Sequence, residues 1–207
     1  MKGLLLKDFY MLSKYCRAFA LLILVFCVAG AFGSMNMFML FYPCIITGML
    51  PVTLISYDER EKWAEFAQTL PYTRAQLVSS KYIVGLIMES AVLLLTMLAQ
   101  TVRMLQCGSF MAGEVMGLFS LMLPVALIPA SILLPFIFKF GSEKGRIAYY
   151  IIVGAACAGA AILVGVLPEN QIVLEGTAQQ LIAAAAAVAA YAVSWLLSIR
   201  FYQNREL

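Results

Sequence analysis

Forty consecutive residues, Ala18 to Tyr57, carry no charged side chain, and then Asp58, Glu59, Arg60, Glu61, Lys62 and Glu65 fall within eight positions. That contrast limits the fold more than any other feature of the chain. About 20 apolar residues cross a bilayer as a helix, so a run of this length predicts two crossings. Each Asp, Lys or Arg at the centre of a lipid-embedded helix costs about 2.5–3.5 kcal/mol, so the charged cluster belongs in water. Composition agrees, with 63% hydrophobic residues, 12% charged residues and a mean hydropathy of +0.92. A soluble chain carries about twice that charged fraction.

The polar segment 57–81, YDEREKWAEFAQTLPYTRAQLVSSK, has a pattern of its own. Asp58 reads as the N-cap of a short helix, with Glu59 and Glu61 in its first turn against the positive end of the dipole. Trp63, Phe66 and Leu70 recur at i, i+3 and i+7, on one face. Arg60, Glu61, Glu65 and Gln68 fall opposite. Pro71 ends the run, because the residue before a proline is pushed out of the helical region. Thr73 with Gln76 then reads as a capping box opening a long helix. Two readings remain: an interfacial helix resting on headgroups, or a handle whose apolar face enters a partner's groove.

The pattern along the rest of the chain predicts an all-α integral membrane protein, one transmembrane domain over 1–207. An interfacial amphipathic helix over 1–17 has Leu5, Phe9 and Leu12 on its apolar face, with Lys7, Asp8 and Lys14 off it. Six transmembrane helices follow at about 18–33, 37–57, 82–102, 115–138, 147–167 and 178–199. The first turn is placed at Gly33–Asn36. Pro43 and Pro51 kink the second span, and Pro124, Pro129 and Pro135 bend or break the fourth. Arg103 to Gly113 reads as a loop, and Lys139 to Arg146 as a short basic one. Of the 14 Lys and Arg residues, all but Arg103 fall on one side of this arrangement. The positive-inside rule puts that side, with both termini, in the cytoplasm. The N-terminal stretch lacks a cleavable signal and reads as retained.

Several functions are excluded on chemistry. There is no histidine, and Cys16, Cys27, Cys44, Cys107 and Cys157 are unclustered, so neither a metal site nor a disulfide framework is legible. The segment GSEKGR at 141–146 does not have its lysine and hydroxyl at the places a phosphate-cradling loop needs them. No catalytic residue is assigned, and the scattered basic residues give no nucleic-acid footprint.

The segment DEREKW at 58–63, then LPYTR at 70–74 and Lys81–Tyr82, resembles the first cytoplasmic loop of bacterial type-2 ATP-binding-cassette permeases. PFIFKFGSEKGR at 135–146 resembles the loop after span four in that family, and MKGLLLKD at 1–8 its usual start. The similarity extends over the whole chain and is greatest to small Gram-positive exporters of antimicrobial peptides or amphipathic toxins. It implies a half-transporter in the bacterial cytoplasmic membrane, paired with a second permease subunit, identical or not. A separate cytoplasmic ATPase would carry ATP and magnesium, with no cofactor on this chain. The segment 58–76 would be the coupling-helix loop, with Glu59, Trp63, Phe66 and Leu70 entering the ATPase cleft. Arg74 and Lys81 would orient its base, and Lys139, Lys144 and Arg146 would form a second ATPase contact. The family's dimer contacts make Gly30, Gly33 and Gly154 interface candidates.

Glu89, the one acid inside a predicted span core, is a candidate pathway or gating residue, since intramembrane acids face a bundle interior or cavity. A carboxyl bonded to a neighbouring helix is the plainer alternative. The small residues 154–161 and the alanine run 183–190 read as close packing between the fifth and sixth spans. The competing functions are a motor-independent secondary transporter, which would want internal repeats that are not seen, and a structural or immunity membrane protein.

Overall fold

The structure, a computed structural model, describes residues 2–15, 17–32, 37–67, 69–108, 112–147, 150–151 and 177–204. Among these residues all regular structure is helical. The amphipathic N-terminus forms α1 (Lys2–Tyr15), which meets α2 (Arg17–Phe32) at a 72° bend. Its buried stripe is Leu4, Asp8, Met11 and Leu12. Leu12 was expected there, but Asp8 was assigned to the polar face and is instead 1% exposed.

The second apolar run is two helices, α3 (Met37–Gly48) and α4 (Leu50–Arg60), separated at Met49. Pro51 has no N–H to give to the Thr47 carbonyl, so the ladder stops there and restarts with proline in the first turn of α4. Pro43, in contrast, sits inside α3. The turn expected at 33–36 lies outside the described residues, but α2 ends and α3 begins on either side of it.

After the short α5 (Trp63–Ala67), α6 (Arg74–Gln106) is a single 33-residue helix. It extends past the expected loop start, with Arg103 in its last turn. The span predicted to bend or break at three prolines, α7 (Ala112–Phe140), is assigned as one helix through all of them. Its packing against α3, α6 and α9 (Thr177–Gln203) supports the turns that lose a backbone hydrogen bond. Gly141 has φ +88, a left-handed conformation that turns the chain into α8, described over 142–147.

By length and composition α6, α7 and α9 can each cross a membrane, and the bent pair α1–α2 makes a fourth candidate. α3 and α4, of 12 and 11 residues, are each too short to cross alone. Most of the expected fifth span, 147–167, lies outside the described residues, as do Gly33, Gly154 and the packing proposed for that span. Gly30 faces open space: a Cβ there would meet nothing within 4 Å.

α9 packs chiefly along α7 and also on α6. Between α6 and α9 the apolar contact is interrupted by hydrogen bonds. The Tyr82 hydroxyl lies 2.8 Å from Ser194 Oγ and 2.6 Å from Ser198 Oγ. Tyr191 donates to the Tyr82 carbonyl at 2.9 Å, and Trp195 Nε1 to Ser79 Oγ at 3.0 Å. In lipid such bonds and close packing hold helices together, because no hydrophobic drive remains between apolar surfaces.

Candidate functional site

Lys7, Asp8, Asp58, Glu59, Lys81, Lys144 and Arg146 gather around one cleft, and the local sequence explains how they are held. Thr73 accepts from the Gln76 N–H at 3.3 Å while Gln76 Oε1 accepts from the Thr73 N–H at 3.1 Å, the capping box read from the sequence. With its start fixed, α6 carries Lys81 two turns into the helix. There Lys81 Nζ lies 2.6 Å from Asp58 Oδ2 on α4 and 2.6 Å from Asp8 Oδ1 on α1. Lys7, also on α1, completes a four-charge group by bonding Asp58 Oδ1 and lying 3.9 Å from Asp8.

Two carboxylates and two ammonium groups cancel, which is the condition for keeping charges out of water. Asp8, Asp58 and Lys81 are all buried. Burial, and then the neighbouring Lys81 ammonium, hold Lys7 below the usual lysine range, against the opposing pull of Asp58 and Asp8. Asp8 Oδ2 is buried without a hydrogen-bond partner among the described residues. The group therefore joins the first helix, the end of the second apolar run and the start of α6.

Asp58 does not cap a helix as the sequence suggested: it lies inside α4, which continues to Arg60. Its two lysine partners hold it in the helix interior. The chain then reverses through Lys62, whose φ of +52 is uncommon for a residue with a side chain. α5 is five residues long, so Leu70 cannot share its face and falls in the turn that follows. Trp63 and Phe66 do neighbour one another, with ring centroids 5.5 Å apart. Trp63 is half-buried, and Lys7 Nζ sits 3.8 Å from its ring centroid, a cation–π contact. Phe66 is 57% exposed.

The other expected contact residues divide similarly. Glu59 Oε2 accepts from the Ser142 N–H at 2.8 Å, joining α4 to the start of α8 and matching the helix dipole there. Gly145 lies against α7 so closely that a Cβ would come within 2.8 Å of the Ile137 Cα. Arg74 donates to the carbonyls of Gln203 at 3.0 Å and Tyr202 at 3.5 Å, closing the C-terminal end of α9. Lys139 Nζ lies 5.1 Å from the rings of both Phe140 and Phe201. Lys144 is exposed and Arg146 half-buried. Between these elements is an open cleft of about 840 Å³, bordered by Lys7, Trp63, Lys81, Phe138, Lys144 and Arg146 among others.

Eight residues beyond Lys81, about 12 Å along the helix, Glu89 is 5% exposed. It borders a separate cavity of about 10 Å³ with Gly48, Pro51, Gly85 and Tyr191. Lys7, Asp8 and the pairing of Asp58 with Lys7 and Lys81 were missed by sequence reasoning, which gave Lys81 only a place at the base of the coupling loop. The available signal was Asp8 in the stripe Leu4–Asp8–Met11–Leu12, an acid on an apolar face that requires a cation from elsewhere in the fold.

A family model described as ABC-2 family transporter protein matches residues 3–203. No curated protein and no solved structure matches the chain.

Proposed function

The chain belongs to the ABC-2 family of transporter proteins, and from that premise we propose that it is the membrane-spanning permease subunit of an ATP-driven exporter energised by a separate ATPase. The substrate is a hydrophobic or amphipathic molecule such as a peptide, antimicrobial or lipid-like compound. Two permease subunits enclose the pathway in the cytoplasmic membrane of a bacterium, with the charged end of the bundle facing the cytoplasm. The family, a membrane transport component, supports the permease role. The Gram-positive peptide-exporter kind follows from the sequence resemblance alone.

The observation that carries the ATPase reading is the mounting of α5. Its outer ring, Phe66, is exposed, while its inner ring, Trp63, rests on Lys7 and through it on the charge group joining α1, α4 and α6. A push on Phe66 would reach the spanning helix α6 through few intermediates. Glu59 ties the same region to α8, so Lys144 and Arg146 move with it. Trp63, Arg74 and Glu59 serve to hold the frame, and Phe66 makes the contact.

Co-expression of the permease with its ATPase tests this. Phe66→Ala leaves permease yield unchanged and abolishes co-purification, whereas Trp63→Ala lowers the yield of folded permease itself. An ATPase that still co-purifies with Phe66→Ala at wild-type yield would remove the assignment.

A further inference from the structure

Among the described residues, Glu89 is the one buried acid that the charge group does not account for. Its Oε1 atom is buried and has no hydrogen-bond partner among the described residues. Its cavity is walled by Gly48 and Pro51 at the break between α3 and α4, by Gly85 on α6, by Leu127 and Ala130 on α7, and by Tyr191 on α9. Gly85 meets Pro51 so tightly that a Cβ would lie 2.7 Å from Pro51 Cγ. The carboxyl therefore sits one turn from the Gly85–Pro51 contact, beside the break where the backbone ladder is already interrupted.

Among the described residues, no group facing Glu89 can neutralise a negative charge. α3 offers the Cys44 thiol and α9 the Tyr191 hydroxyl, which donates to the Tyr82 carbonyl. α4 and α7 present only Pro51, Leu127 and Ala130 to the cavity. α2 adds Cys27, beyond Cys44. Lys81 on α6 itself, and Lys7 with Asp8 on α1, are engaged in the charge group at the far end. An ionised carboxylate left unpaired in an apolar interior costs several kcal/mol.

We propose that Glu89 is a proton-binding site, and that opening of the bundle at the α3–α4 break is coupled to release of its proton. In the packing seen here the side chain is the neutral acid. When α4 and α6 separate, water reaches the carboxyl, its O–H bond breaks, the electron pair stays on the oxygen and the proton passes to water. Closure takes the proton back. The closed packing is thus fully populated at low pH and weakens as pH rises. This goes beyond the transporter reading and does not depend on an ATPase.

Hydrogen exchange of the purified permease in nanodiscs tests it over the neutral to mildly alkaline range. After correction for intrinsic rates, exchange of the backbone at 46–54 in the wild type rises with pH, approaching tenfold per unit where opening releases one proton. In Glu89→Gln, which keeps the shape and cannot ionise, the corrected exchange is flat. Infrared spectra of the wild type alone give a second readout: a protonated-carboxyl band that persists through the pH range in which exchange is rising and is lost only where the rise levels off. Equal pH dependence in both proteins, a flat wild type, or no protonated-carboxyl band in the wild type would each overturn the proposal.

Discussion

Asp58 has a lysine on each oxygen, and neither lysine can be removed without stranding charge. Lys81→Met leaves Asp8 and Asp58 with Lys7 alone, and breaking a buried pair costs about 3–5 kcal/mol. Thermal unfolding in detergent should show that loss. Lys81→Arg, which keeps a positive charge between Asp8 and Asp58, should lose less. An unchanged midpoint in Lys81→Met would mean that the group is not a stabilising joint. Some of this end was legible in the sequence. Trp63 and Phe66 at i, i+3 are neighbours, because a single turn fixes that relation. Asp8 and Asp58 were misassigned because their partners lie 73 and 51 residues away. No local pattern encodes that pairing.

At the scale of elements, the junctions between helices carry the specific information. Thr73→Ala removes one half of the capping box at the start of α6 and should cost about 1 kcal/mol of stability. Gly145→Ala forces a methyl group against the Ile137 backbone, and overpacking of this kind costs about 1–3 kcal/mol. Because α8 would shift from α7, the Glu59–Ser142 bond should be disturbed as well, seen as faster exchange of the Ser142 amide. A Gly145→Ala protein with unchanged midpoint and exchange would contradict the close approach. The capping box could be read directly because it is complete within four residues. The prolines could not: Pro51 separates two helices, while Pro124, Pro129 and Pro135 leave α7 continuous. Neighbouring helices decide which outcome applies, and the sequence of one segment does not contain them.

For the molecule as a whole, apolar periodicity and charge distribution were enough to identify a helical membrane protein. Lengths were less legible, since α6 runs through Arg103 and the second apolar run is divided at Met49. The account joins these parts into one chain of contacts, from Phe66 through Trp63 and Lys7 to Asp58, Lys81 and the spanning helix. Its most direct test is site-specific photo-crosslinking in native membranes, with Phe66→benzoylphenylalanine beside Leu196→benzoylphenylalanine, Leu196 being exposed on α9. The account predicts a protein adduct containing the ATPase from position 66 and lipid adducts alone from position 196. Lipid adducts alone from position 66 would contradict it.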